Sequence, residues 1–304
     1  MLKFVGINGS GLFDLPEAVK AVMNSEYGVP ADDMTVTFPR TIPLLWRILA
    51  VDENGDVLFE GLADEQVENV SANGVTVTVY ARSPAALPLD NECEPADYYY
   101  PSIDIIFEKH LRQFGIKLDE DSECLSEGCG EMNIGRGVSH YGAVKRFCSA
   151  FLGAVPRISR TGVFYPNGRR EGLIVFGDGG IPISTLSRRS RRYGKLSSVI
   201  AIDGDSTIIV RDSDAEAQGI LCERRMYLSD SRTGFLCDAD DMLAASKRGC
   251  ELLDISSPEA VGDIVGCSAS VAFDGSNESG YTVVKTRCVY SADGEQSFVR
   301  LEKL

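Results

Sequence analysis

Apolar and polar positions alternate over short stretches of this chain, as in Val75-Thr76-Val77-Thr78-Val79-Tyr80, the period expected of half-buried strands. The alternating stretches are separated by turn dipeptides: Asn8-Gly9, Asn54-Gly55, Asn73-Gly74, Asn167-Gly168, Asp178-Gly179, Asp203-Gly204, Asp274-Gly275 and Asp293-Gly294. Such pairs tolerate the positive φ of tight hairpin turns. Strand pairs are predicted for 44–51 with 57–63, 197–202 with 207–210, and 282–290 with 297–301.

Helical periodicity is confined to a few segments. Ser102 is placed to N-cap a helix with the apolar stripe Ile103, Ile106, Phe107, His110, Leu111 and Phe114, ended by Gly115. A second helix is predicted from Ser139 through Val144, Phe147 and Phe151 to Gly153, with Pro156 beyond it. A third spans roughly 238–249, with Asp240 and Asp241 in its first turn and Lys247 and Arg248 in its last. A short helix after Pro16, over 18–23, completes the set. Strand blocks interrupted by small helical segments predict β-barrels assembled from discontinuous pieces, and no internal sequence repeat is visible.

At 304 residues the chain has room for two to four domains, and 44% apolar residues suffice for real cores. No apolar run reaches the length of a membrane span, and the first residues do not read as a signal peptide. The net charge of −15 predicts repulsion of free nucleic acid and anionic membranes. Nine cysteines without a C-x-x-C pair read as reduced, packed thiols.

Catalytic patterns are sparse. His140 and Cys148 sit eight residues apart on one predicted helix, about 12 Å of rise, too far for a base and its nucleophile. There is no G-x-S-x-G elbow and no phosphate loop, and the glycine-rich pieces 128–130, 135–137 and 177–180 read as turns. Cys124 and Cys129 lack a second ligand pair for zinc, and the acidic cluster 119–123 lacks calcium-loop spacing, as do Asp203/Asp205 and Asp212/Asp214. No cofactor or metal is expected. The basic run Arg188-Arg189-Ser190-Arg191-Arg192 stands out in so acidic a chain. Nucleic-acid binding and protection of a strand edge are two readings of it. Contact of Arg188, Arg189, Arg191 and Arg192 with an acidic surface of a neighbouring subunit is preferred.

Residues 81–102, Ala-Arg-Ser-Pro through Leu89-Asp90-Asn91-Glu92 to Tyr98-Tyr99-Tyr100-Pro101-Ser102, resemble a segment of the baseplate hub proteins of contractile phage tails, of the Mu-like or late control protein D type. There an "ARS…LLDNE" stretch leads through a Tyr-rich linker into a helix ending near "FGI", similar to Phe114-Gly115-Ile116. Val57 to Asp64 is similar to that family's "lvFtG.vd" strand, and Val261-Gly262-Asp263-Ile264-Val265 to its "pGDiV" opening of the last barrel. Hub modules of type VI secretion machines belong to the same set of relatives.

The resemblance implies a mainly β fold with α+β inserts: two tail-tube-like β-barrel domains plus two smaller α/β domains. The first barrel is expected from 1–84 with about 157–180, and the first α/β domain from 85–156. The second barrel is expected from 181–204 with 261–304, carrying a small α/β insert at 205–260. It further implies a non-enzymatic homotrimeric hub in the virion tail baseplate, assembled in the bacterial cytoplasm. Such a hub joins tail tube proteins to the spike protein, and DNA passes through the ring without specific binding, eased by an acidic lumen. The rival expectations are a carbohydrate-binding or adhesin module, favoured by Tyr98-Tyr99-Tyr100, and a cell-wall hydrolase.

Overall fold

The computed structural model describes residues 2–119, 130–227 and 235–303. It opens with β1 (Lys3–Asn8), β2 (Gly11–Asp14), β3 (Lys20–Glu26), β4 (Asp33–Phe38), β5 (Arg47–Val51), a long β6 (Val57–Ser71) and β7 (Gly74–Arg82). A helical segment holds α1 (Ala86–Asp90), β8 (Ala96–Tyr99), α2 (Ile103–His110), β9 (Lys117–Leu118), β10 (Glu131–Ile134), α3 (His140–Phe151), β11 (Arg157–Ile158) and β12 (Val163–Tyr165). Next come β13 (Leu173–Gly177) and β14 (Thr185–Ser190). An insert contains β15 (Ser198–Asp203), β16 (Ser206–Arg211), α4 (Ser213–Ala217), β17 (Glu223–Tyr227) and α5 (Phe235–Lys247). β18 (Glu251–Ser257), β19 (Ser268–Phe273), a long β20 (Ser276–Ser291) and β21 (Gly294–Lys303) follow. The fold is mainly β, as expected.

Thirteen strands form one continuous sheet in the order β14-β18-β21-β20-β3-β4-β7-β6-β5-β1-β2, with β19 on the other part of β20 and β13 on β19. The sheet has two halves with separate cores, one around Met23, Met34, Phe38, Phe59 and Val79, the other around Phe176, Ile255, Val271, Val283 and Leu301. Each half rolls over its core. In a flat sheet β1 and β4 would lie about 19 Å apart, four spacings of about 4.8 Å. The rings of Phe4 and Phe38, on those two strands, meet at 5.8 Å between centroids. Gly61 is required where β6 crosses this core, because a Cβ there would lie 2.6 Å from the Phe59 ring. Among the described residues the strand path does not close on itself, so neither half is a closed barrel by strand pairing.

The turn dipeptides do what their chemistry predicts. Six of the eight join antiparallel neighbours: β1–β2, β5–β6, β6–β7, β15–β16, β19–β20 and β20–β21. Gly74 and Gly294 hold φ of +116° and +109°, where an L side chain is strained.

The helices at 102 and 139 form as predicted. Ser102 Oγ accepts from the Ile105 amide and Ser139 Oγ from that of Gly142. Ser102→Ala should therefore cost about 1 kcal/mol in urea unfolding, with the fold retained. α2 and α3 bury Ile106, Phe107, Val144 and Phe147 in a third core, to which Ile158 and Phe164 also belong.

Several expectations are corrected. Residues 18–23 are not a helix; Lys20–Glu26 is strand β3, paired on both sides by β4 and β20. The third helix begins at Phe235, so Asp240 and Asp241 fall past its first turn, while Lys247 does close it. Ile158 and Phe164 join the helical core, while Arg160 bonds to Glu60 of β6 and Ser25 of β3, and β13 pairs with β19 of the second half. β15 leaves the large sheet and pairs with β16 and β17, over Ala239 and Leu243 of α5, whereas β18 lies between β14 and β21.

Candidate functional site

The basic run lies on an edge. Among the described residues β14 pairs with β18 alone, so its other side presents unpaired backbone. Arg188 makes a two-pronged ion pair with Glu278, at 2.7 and 2.6 Å, and Arg189 meets Asp254 at 3.3 Å. Hydrogen bonding to Glu278 raises the Arg188 pKa and lowers that of Glu278. Arg191 stacks its guanidinium over Tyr193 at 5.9 Å, and Arg192 donates to the Gln218 carbonyl, tying β14 to the insert. The four arginines are thus gathered along one edge, at least half of them already in local ion pairs that leave the backbone edge open.

A second feature, which sequence reasoning missed, is a buried charge network where the halves meet. Arg157 donates to both carboxylate oxygens of Asp32 at 3.3 and 3.0 Å and to Asp263 at 2.7 Å. Its side chain is 2% exposed and that of Asp32 1%. Burial raises the Asp32 pKa against the pull of Arg157. Burial also opposes ionisation of Asp263, but Arg157, Arg160 and Arg170 around it hold it below the usual carboxylate range. Arg160, fully buried, donates to Ser25 Oγ on β3 at 2.7 Å and to Thr286 Oγ1 on β20 at 3.0 Å. These are the two strands through which the half-sheets join.

The motif residues behind the family resemblance serve as joints. Arg82 reaches Asp64 at 2.5 Å and Asp90 at 2.7 Å, clamping β7 to the bulge in β6 and to α1. Ser83 exchanges hydrogen bonds with Asp32, through its amide at 2.8 Å and its hydroxyl at 3.1 Å. Asp263 of the second motif sits in the buried network.

The histidines, 30 residues apart, come together. His110 Nε2 lies 2.9 Å from Tyr98 Oη, and the two Nδ1 atoms of His110 and His140 are 3.1 Å apart. Gln113 Nε2 is 3.3 Å from His140 Nδ1. One assignment gives every pair a donor and an acceptor: Tyr98 donates to His110 Nε2, His110 Nδ1–H and the Gln113 amide share the one lone pair of His140 Nδ1, and His140 carries its proton on Nε2. Burial, with His140 and Lys109 adding to it, pushes His110 down to about 4. Tyr98 is committed to this contact, while Tyr99 and Tyr100 stay exposed.

Of the cysteines, Cys93, Cys148, Cys250, Cys267 and Cys288 are buried thiols and Cys222 is exposed. Cys124, Cys129 and most of the acidic cluster lie outside the described residues. Among the described residues no group of three or more His, Cys, Asp or Glu is placed to hold a metal. Asp212 caps α4 through the amides of Asp214 and Ala215 and pairs with Lys247 at 2.7 Å. Among the described residues no helix is long and apolar enough to cross a membrane.

No family model matches the chain, and no curated protein matches its sequence. Solved structures do. A tail protein from Neisseria meningitidis MC58 superposes with a TM-score of 0.77 at 15% identity, over 99% of this chain and 96% of its own. The 43 kDa tail protein of prophage MuSo2 from Shewanella oneidensis gives 0.77 at 13% identity, over 98% and 97%. The E. coli c3393 protein is a type VI secretion component described as similar to the T4 phage tail proteins gp27 and gp5. It gives 0.58 at 11% identity, over 100% of this chain and 76% of that one. At these identities the likeness is one of fold, and the chain has the fold of phage tail proteins that the motifs in its sequence resemble.

Proposed function

We propose that this protein is the structural hub of a phage or phage-derived tail baseplate. In this reading three copies form a ring that joins the tail tube to the central spike and surrounds the DNA passage. The observation that carries it is the end-to-end superposition on two tail proteins, one of them from a prophage, which leaves almost no part of either chain unmatched. Each chain would contribute two barrel-like halves, six in all. The first half comprises β1–β7 and the second β13, β14 and β18–β21. The 85–165 segment and the 196–247 insert are two small α/β domains beside them. The arginines of β14 serve as a subunit interface, and an acidic lumen lets DNA pass without sticking. The particle assembles in the bacterial cytoplasm and resides in the virion tail.

Light scattering on the purified chain, alone and mixed with the spike protein of the same particle, tests this. The expected result is a mass three times 33.0 kDa, on its own or once the spike is present. A chain that stays monomeric with every tail component would overturn it.

A further inference from the structure

The two halves repeat each other strand by strand, although no sequence repeat is visible. β6 and β7 pair from Leu62↔Arg82 to Ser71↔Gly74, with a bulge between Ala63 and Glu65. β20 and β21 pair from Thr282↔Glu302 to Ser291↔Gly294, with a bulge between Val283 and Lys285. Over this span every pair and the bulge match at an offset of 220. The turn sequences Ser71-Ala72-Asn73-Gly74 and Ser291-Ala292-Asp293-Gly294 differ only in Asn73 against Asp293. The next strand out is β4 in one half and β18 in the other, at an offset of 219, since Asp33↔Arg82 corresponds to Leu252↔Glu302. Beyond it lie β3 and β14, where Lys20↔Thr37 corresponds to Thr185↔Ser256, an offset of 165.

The repeat is incomplete in one respect. β3 continues the sheet by pairing with the outer part of β20, from Lys285↔Glu26 to Ser291↔Lys20. Among the described residues its counterpart β14 has no such neighbour, and the counterpart of that part of β20, Glu65–Ser71 of β6, is paired by β7 on one side only. One chain therefore carries both a vacant donor edge and the vacant acceptor edge that the repeat assigns to it. Both face outward, so one molecule's edge is free to meet another's.

We propose that β14 of one copy pairs antiparallel with residues 65–71 of β6 of a second copy, in the register that β3 adopts on β20. Transferring the offsets sets Thr185 opposite Ser71, Leu186 opposite Val70, Ser187 opposite Asn69, Arg188 opposite Glu68, Arg189 opposite Val67 and Arg191 opposite Glu65. Two of the three arginines, Arg188 and Arg191, face glutamates, and Arg189 faces Val67. Arg191–Glu65 takes the place of the Glu26–Lys285 pair, 2.5 Å apart within the chain, with the signs exchanged. Leu186 meets Val70, which is 75% exposed in the single chain, in the place where Ala21 meets Tyr290. Arg188 brings Glu68 a guanidinium already shared with Glu278. Trp46, 63% exposed, borders the acceptor edge, its carbonyl accepting from the Ala63 amide. Because donor and acceptor edges differ, the contact is head-to-tail and propagates until a ring closes. The number of copies rests on the hub reading; the pairing rests on the repeat.

Two tests use the full-length chain. Chains carrying Asn69→Cys and Ser187→Cys, each in a Cys222→Ser background, are mixed and oxidised. A disulfide between them is expected, since opposed residues of an antiparallel pair lie within disulfide reach. Separately, Arg191→Glu or Glu65→Arg alone should weaken association about fivefold or more per contact, and the double exchange should restore it. Assembly that proceeds without the cross-link and ignores both charge reversals overturns the pairing and leaves the hub reading standing. A chain that neither cross-links nor assembles overturns both.

Discussion

Replacing Arg157 by methionine is expected to lower stability by about 3–5 kcal/mol, the largest effect of any single substitution considered for this chain. The cost does not come from losing an attractive contact in water. It comes from leaving Asp32, 1% exposed, and Asp263, 16% exposed, without the guanidinium that lies between them. Asp263 keeps Arg170 at 3.7 Å, but among the described residues Arg157 is the one ion-pair partner of Asp32, which without it must take up a proton or draw in water. The deficit should therefore shrink as pH falls, because protonation relieves the uncompensated charge in the variant. Urea unfolding at pH 8 and pH 5 checks this, with a smaller difference from wild type expected at pH 5. Adding Asp32→Leu to Arg157→Met should recover part of the loss, since the unpaired carboxylate is then gone. A uniform loss at both pH values, unrelieved by the second substitution, would mean that packing alone explains the effect.

The location of this network gives the substitution a further consequence. Asp32 belongs to the turn between β3 and β4, Arg157 to the helical segment and Asp263 to the lead-in to β19. Each of the three cores thus contributes one member. Arg160 beside them holds Ser25 and Thr286 of the two junction strands. Loosening the network disturbs the β3–β20 seam, which joins the half that carries β6 to the half that carries β14 and so sets the two edges relative to each other. An Arg157 variant should accordingly lose assembly together with stability, whereas the charge reversals at Arg191 and Glu65 should leave stability within about 0.5 kcal/mol of wild type.

What the sequence disclosed and what it hid divides along the range of the interactions involved. The caps at Ser102 and Ser139 and the glycine turns act within four residues, and they were legible as such. Residues 18–23 show the opposite. Ala18, Lys20, Ala21 and Met23 favour a helix locally, but Lys20, Ala21 and Met23 lie opposite Thr37, Val36 and Met34 on one flank and Ser291, Tyr290 and Cys288 on the other, and that pairing overrides propensity. β15 was misassigned for the same reason: its alternation marks a strand but not which sheet it joins. The internal repeat was hidden because only its geometry recurs. Gly74 and Gly294 coincide, as do Val79 and Val299, while Tyr80 and Arg300 on the outer face do not. The arginine run was visible as an oddity of composition. That it lies along a free strand edge, opposite in the repeat to Glu65 and Glu68, required the topology.

Stability is also expected to fall by about 2–3 kcal/mol between pH 7 and pH 4 on account of His110 alone. In the unfolded chain this residue titrates near its ordinary value of 6.5; in the fold it is pushed down to about 4. The folded state therefore binds fewer protons through this interval. Its contribution is fully present above pH 6.5 and is lost progressively as pH falls toward 4. The cause is geometric. Protonation would put a charge among Ile106, Phe107 and Leu111, and would strip Tyr98 Oη of its acceptor. The groups facing the ring are Tyr98, His140 and Lys109, whose ammonium lies 5.4 Å from the Tyr98 ring centre, and none of them is an anion that would welcome an imidazolium. His140 is lowered by burial too and adds to the same slope. Carboxylates protonate at the low end of this range, so the telling quantity is the difference from a Tyr98→Phe/His110→Phe variant, which removes the acceptor and its donor together. That variant should decline less steeply than the wild type from pH 7 to pH 5, keeping only the part of the slope that His140 contributes. Parallel profiles would place the His110 proton elsewhere than on a ring held neutral by its surroundings.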